Sequence, residues 1–334
     1  MVLFDLRPDW CCAGQPRGFG LTGETMEGSL VQATTSLPFR ANVPCLGSMR
    51  QEITMEPHTS YLICATPRSG STLLCEALDN TGIAGHPKEY FEALKETGLP
   101  RRPKEYFETL ENSSVLELLG DYSRLEDVYS EPTFWDGAGY AQYLASVLDE
   151  GTTPDGVFGA KMMWEYFGDF IDNIRQIPAY REMAVPDILA TVFPNLHYIR
   201  VTRRDKVRQA VSLWKAIQTW SWQQDEQASP IDRHAHKELM FHFEAIDHLV
   251  QRITAHDAAW EQFFADAGVQ PCTVVYEELA GAYEETALNI LQYLHIPVPE
   301  GLVFGERRMK QQADTLSDEW VRRYTTLKYA YKVS

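Results

Sequence analysis

From Ser60 onward, apolar runs of strand length alternate with stretches whose apolar positions recur at helical spacing. The runs 60–65, 157–162, 196–202 and 273–277 predict β-strands. Helical periodicity predicts helices over 71–81, about 103–120, 137–149, about 168–178, 186–191, 205–220 and 283–294. The longest periodic stretch, 233–266, places Leu239, Phe243, Ile246, Val250, Ile253, Trp260 and Phe264 near one helix face. A basic loop and a last helix follow. Strands alternating with helices predict an α/β fold of three layers, a parallel sheet with helices on both faces. There is no internal repeat and no low-complexity tract.

Residues 1–57 differ in texture from the rest. They are rich in Gly, Thr, Ser and Pro, contain no Lys, and show little periodicity. They are expected to form an irregular, flexible extension ahead of a domain at 58–334, and Met55 is a candidate start. A charged n-region followed by an apolar h-region is not found there, so a signal peptide is not expected. The run needed for a membrane-spanning helix, about 18 apolar residues, is also missing from the sequence.

Composition narrows the partners. A chain of 334 residues can bury a large α/β core. Its formal net charge of −17 argues against nucleic acid, heparin-like polymers and anionic membranes. Six Cys occur without metal-ligand spacing. Cys64, Cys75 and Cys272 fall in or beside apolar runs and read as core thiols. A cytoplasmic location is the simpler expectation.

Against that acidic background, the run from Tyr61 to Leu74 carries the first candidate chemistry. It reads as a buried strand, a turn of small residues and a helix start, where backbone N–H groups point outward and favour an anion. Gly70 lets the backbone come close to a ligand. Ser69, Ser71 and Thr72 add hydroxyl donors, and Arg68 adds a planar fork suited to phosphate or sulfate oxygens. This P-loop-like cradle lacks the first Gly and the Lys of G-x-x-x-x-G-K-[ST], which points to phosphates that are held and not hydrolysed. The plain alternative is an ordinary capped turn. A phosphatase loop C-x5-R from Cys64 fails, because Gly70 stands where Arg is needed.

A second basic turn follows the strand Leu196–Thr202. Arg203 or Arg204 sits at the strand's carboxyl end, where open α/β sheets bind ligands. Ser212 lies about two turns further along the next helix. A solvated basic helix start is the plain alternative, but cations are disfavoured at a helix N-terminus unless an anion is near.

Further short segments join these two. They are Gly85–Phe91, Phe158–Trp164, Trp214–Thr219, and Gln312–Asp314 with Ser317–Trp320. Together, and in this order, they resemble the bacterial PAPS-dependent carbohydrate sulfotransferases of the trehalose 2-sulfotransferase type, from about Ser60 to about Tyr324. The resemblance implies that Thr66–Thr72 binds the 5′-phosphosulfate of PAPS and that Arg203–Ser212 binds its 3′-phosphate. It implies Glu89 as general base. Arg68 and Lys161 are candidates for neutralising charge on the leaving phosphate. His86 is the competing base, since His is the commonest acid–base residue. His234, His236, His242 and His248 lack ligand spacing, so no metal is expected.

The acceptor is expected to be a small molecule with a hydroxyl, a sugar or glycolipid by resemblance. It would be held by His86, Pro87, Lys88, Tyr90, Phe91, Tyr106 and Trp164. Plain core packing is at least as good a reading for Phe91 and Phe107. Pro67 stands where the trehalose enzyme has a polar, sugar-binding residue, and the loop Glu96–Pro103 departs from that pattern. The family often has Arg at the position of Gln311; Lys310, Arg308 or Arg307 can supply that charge to the donor. A homodimer is compatible with the sequence.

Two other functions stay open. A small-molecule kinase with a degenerate loop needs a Mg²⁺-binding carboxylate at a strand end, yet Arg203–Arg204 precede Asp205. A non-catalytic binder on the same fold is the other.

Overall fold

The computed structural model describes residues 57–92, 106–107, 115, 136–219, 239–308 and 315–333. All of them lie in one compact unit, Val43–Ser334. Four strands form one parallel sheet: β1 Thr59–Ala65, β2 Val157–Met163, β3 Leu196–Thr202 and β4 Cys272–Val275, in the order β2-β1-β3-β4. Every residue of β1 and β2 is buried, as expected of parallel strands covered on both faces.

The alternation along β3 shows those two faces. His197 meets Tyr293 of one helix at 5.4 Å between ring centroids, and Tyr198 meets Phe264 of another at 5.8 Å. Those helices are α8 Tyr283–Tyr293 and α6 Phe243–Asp266. The others are α1 Ser71–Asp79, α2 Gly137–Gly151, α3 Trp164–Ile174, α4 Val185–Val192, α5 Lys206–Thr219, α7 Tyr276–Gly281 and α9 Thr315–Val333. α1 packs with α8, and α3 with α6, so the sheet is sandwiched.

Close approach at the sheet centre depends on one glycine. Gly159 pairs with Tyr61, and a Cβ there would stand 2.4 Å from the Tyr61 hydroxyl oxygen. That hydroxyl donates instead to the Ala84 carbonyl, 2.5 Å away. Phe158 and Phe193 stack at 5.5 Å, with Phe170 and Phe91 beside them. A second core cluster, around Trp214, Ile246 and Trp320, joins α5, α6 and α9.

Elements differ from the sequence-based expectations mainly at their ends. The expected helix at 168–178 begins at Trp164, directly after the extended Met163 that ends β2. It stops at Ile174, before the turn at Pro178. The long helix starts at Phe243, not 233: His242 is extended and its Nδ1 accepts from the Ala245 N–H at 3.3 Å, which caps it. The strand expected at 273–277 covers Cys272–Val275, and Tyr276 opens the unforeseen short helix α7. Most of the helix expected near 103–120 lies outside the described residues, as do Lys310, Gln312–Asp314 and 233–238.

Candidate active site

The strand order locates the site. From β1 the chain crosses to β2 on one side, then back past β1 to β3 on the other. β1 and β3 thus flank a topological switch point, and ligands of open α/β sheets bind at the carboxyl ends there. The two turns at those ends carry the candidate phosphate groups.

The first turn leads from β1 into α1. Arg68 and Gly70 both adopt left-handed backbone angles, φ 60° and 94°. Arg68 is the costly one, since a side chain there is disfavoured. Such a turn aims successive N–H groups at one point. Gly70 is the N-cap of α1 and offers no side-chain cap. An added Cβ on Gly70 would lie 2.3 Å from the Tyr276 ring, so both the angle and the space require glycine.

The second turn, after β3, comes up against the first. Arg68 Nε donates to Ser212 Oγ on α5 at 3.0 Å. Arg203 Nη1 donates to the Arg68 carbonyl at 3.4 Å, and its guanidinium lies 4.5 Å over the Tyr276 ring. Burial, and then the charge of Arg203, pulls the pKa of Arg68 down. Burial also lowers that of Arg203. Two cations pressed together in a desolvated cleft favour an anion between them. Ser69 Oγ and Arg203 Nε are buried without a hydrogen-bond partner among the described residues, so donors stand ready in the cleft. Arg204 turns away: it pairs with Glu278 on the surface, both more than half exposed.

The candidate base sits on the other side of the cradle. Lys88 bridges to Ala160 beside β2, and the Lys161 N–H donates to the Lys88 carbonyl at 2.9 Å. This pairing sets the segment 86–91 along the edge of β2 and brings Glu89 to Lys161. Lys161 Nζ stands 2.5 Å from Glu89 Oε2 and donates to Thr72 Oγ1 at 3.3 Å. Tyr166 on α3 donates to Glu89 Oε1 at 3.1 Å. Burial alone would lower the pKa of Lys161; Glu89 outweighs it through charge and a hydrogen bond, with help from Cys75 and Glu92, and the result is raised. The ammonium therefore stays charged, and it links the Glu89 carboxylate to the cradle helix.

The remaining expected site residues divide. His86 Nδ1 pairs with Asp79 at 2.7 Å, and Lys88 Nζ with Glu150 at 2.8 Å, both near the surface. Pro87 is buried. Tyr90 donates to the His86 carbonyl at 2.7 Å, holding the segment in shape. Trp164, half-buried, starts α3 at the carboxyl end of β2 and meets Trp260 edge-on at 5.0 Å. Phe91 and Tyr106, expected to hold an acceptor, lie in the core. Phe91 is 3% exposed and fills the aromatic core 4.6 Å from Phe170, so it has no open face for an acceptor. Tyr106 is 6% exposed in the second core cluster, with Arg252 over its ring. Arg308 uses its backbone N–H on Glu76 of α1, and Arg307 lies over Tyr283.

Sequence reasoning missed Tyr166, Tyr276, Lys206, Gln209 and Asp257. For Asp257 a signal existed: it interrupts the apolar stripe Ile253, Trp260, Phe264, and an acid at a core position needs partners. Tyr166 and Tyr276 carried no signal apart from ordinary aromatic packing.

A parallel sheet whose switch point gathers an uncapped helix start and two half-buried arginines has the architecture of an α/β fold suited to anions. Comparison with known proteins narrows the class: the profile of the Stf0 sulphotransferases matches residues 60–326, and the chain belongs to that family of sulfuryl-transferring enzymes. Two curated relatives are similar over most of its length. The trehalose 2-sulfotransferase of Mycolicibacterium smegmatis is 33% identical over 270 residues, 80% of this chain and 94% of that protein. The trehalose 2-sulfotransferase of Mycobacterium tuberculosis is 31% identical over 270 residues, 79% of this chain and 93% of that protein. A solved sulfotransferase from Alicyclobacillus acidocaldarius aligns over 81% of this chain and 95% of its own, at 14% identity and a TM-score of 0.43. Among the described residues no helix is long and apolar enough to cross a membrane, and no cluster of three or more His, Cys, Asp or Glu stands where it could hold a metal ion.

Proposed function

We propose that the chain uses PAPS as its sulfuryl donor and transfers the group to a hydroxyl of a sugar or a similar small molecule. The observation that carries the donor reading is the pair Arg68 and Arg203, pressed together with Arg203 Nε and Ser69 Oγ left without partners. The residues fit the donor: one anion at the helix start, a second at the turn after β3.

PAPS, when bound, supplies a sulfuryl group activated on its 5′-phosphate. Arg68, Ser69, Gly70, Ser71 and Thr72 would hold that end, and Arg203 with Ser212 the 3′-phosphate. Arg204 is committed to Glu278 and is the weaker candidate. Glu89 would take the proton of the acceptor hydroxyl as the new S–O bond forms and the S–O bond to the phosphate breaks. Arg68, Lys161 and the N–H groups of α1 would meet the charge left on the phosphate. Lys161 joins the two events. Once Glu89 is protonated, its hold on the Lys161 ammonium weakens, and that charge is freed for the leaving oxygen. Tyr166 keeps Glu89 oriented meanwhile.

The acceptor side rests on the relatives, whose names specify trehalose. Trp164 and Tyr90, both half-buried, are the aromatic candidates for a sugar ring. Pro67 offers no side-chain donor where the trehalose enzyme has a polar residue, which counts against trehalose itself within the acceptor class. Calorimetric titration tests the donor: adenosine 3′,5′-bisphosphate should bind without Mg²⁺ in the micromolar range or tighter. Stronger binding of ATP with Mg²⁺ would overturn the reading in favour of a kinase.

A further inference from the structure

Behind the cradle lies a second, buried network that the chemistry above does not use. Asp257 on α6 is 7% exposed. Its Oδ1 accepts from the Thr66 hydroxyl at 3.2 Å, at the exit of β1. Its Oδ2 accepts from the Thr202 hydroxyl at 3.0 Å, at the exit of β3, and from Lys206 Nζ. Each threonine is held from the other side as well. Gln209 Nε2 donates to Thr66 Oγ1 at 3.0 Å and to the Pro67 carbonyl at 2.7 Å, and Lys206 Nζ donates to Thr202 Oγ1 at 3.1 Å. The donors run in order: Gln209 to Thr66 to Asp257, and Lys206 to Thr202 to Asp257. Each hydroxyl thus spends its one proton on the carboxylate and one lone pair on its neighbour. One turn further along α6, Trp260 Nε1 donates to the Ala65 carbonyl at 3.0 Å.

We propose that Asp257 is a positioning residue that ties the exit of β1 to the exit of β3 and so sets the spacing between the two phosphate-binding turns. Thr66 is two residues from Arg68, and Thr202 is adjacent to Arg203. A ligand with both a 5′- and a 3′-phosphate needs both turns at one spacing; a ligand with only the 5′-phosphate needs the first. Paired charge-assisted bonds from one helix hold that spacing beyond the last paired residues of the two strands, Cys64 and Arg200. The buried charge of Asp257 is offset by Lys206, so the clamp does not repel the anion in front of it. This inference rests on the proposed donor.

The test measures Kd for adenosine 3′,5′-bisphosphate and for adenosine 5′-monophosphate with the full chain, by calorimetry, beside a melting curve. The wild-type protein is expected to prefer the bisphosphate. D257N should lose about 10- to 100-fold of that preference, the range for a charge-assisted bond. T202V keeps the shape, removes one of the donors, and should lose less in the same direction. A role in stability alone would lower the melting temperature and leave the preference of the folded protein unchanged; that result in both variants overturns the proposal. Should D257N fail to fold, an unchanged preference in T202V overturns it by itself. A wild-type protein without the preference overturns the donor reading and this inference with it.

Discussion

At the scale of single residues, Glu89 and Gly70 separate chemistry from binding. Glu89→Gln keeps the shape and the bond from Tyr166 but cannot take a proton. It should lower turnover by about 10²–10⁴-fold with little change in Kd for the bisphosphate. His86→Asn should be close to normal, because His86 is paired with Asp79 near the surface. A dead His86 variant beside an active Glu89 variant would move the base to His86. Gly70→Ala is expected to abolish donor binding: the added Cβ meets the Tyr276 ring and the left-handed angle disfavours it. The need for glycine at position 70 was legible in the sequence, and the left-handed angle there accounts for it. An aromatic label alone does not separate a binding face from core packing: Phe91 and Tyr106 lie in the core.

At the scale of elements, α9 is docked by Trp320 and Tyr324 in the second core cluster and by polar contacts beside them. Asp247 on α6 accepts from Tyr324 at 2.5 Å and from Lys328 at 2.6 Å, and Arg208 on α5 pairs with Asp318 at 2.7 Å. Burial alone would raise the pKa of Asp247; the bonds from Lys328, Tyr324 and Gln251 outweigh it and lower it. Its contribution is therefore present at neutral pH and lost as pH falls through that lowered value. Asp247→Asn should destabilise the protein by about 1 kcal/mol, with Lys328 partly solvent-screened, and should speed amide exchange in α9 before the rest. Uniform exchange across the molecule would show that α9 is not a separate unit. Strands and the larger helices were legible because burial on both faces leaves uninterrupted apolar runs, as in β1. Two helix starts were not, those of α3 at Trp164 and α6 at Phe243. His242 caps α6 with a ring nitrogen, a device outside the usual Ser, Thr, Asp and Asn set. α7 is too short to carry a periodic signal.

At the scale of the whole molecule, each candidate phosphate turn was legible because it is one short stretch of sequence, whereas the network behind them joins residues 191 apart and has no local signature. The core also sets an alkaline limit. Burial pushes the Cys75 thiol up to about 12 and raises Tyr61 and Tyr166 well above the usual tyrosine range. In the unfolded chain these groups ionise at ordinary values, so the unfolded state binds fewer protons and stability falls as pH rises above about 9. The urea midpoint should therefore drop between pH 8 and pH 10.5; an equal midpoint would contradict the burial of these groups. The central claim is sulfuryl transfer from PAPS to a sugar hydroxyl at the Arg68 cradle, and it is tested most directly with ³⁵S-labelled PAPS. Wild-type protein is incubated with a panel of sugars that includes trehalose, and with Gly70→Ala and Glu89→Gln beside it. The account predicts label on at least one sugar with the wild type, none with Gly70→Ala, and strongly reduced label with Glu89→Gln. Label transferred equally well by all three proteins, or to no sugar by a wild type that binds the bisphosphate, would contradict it.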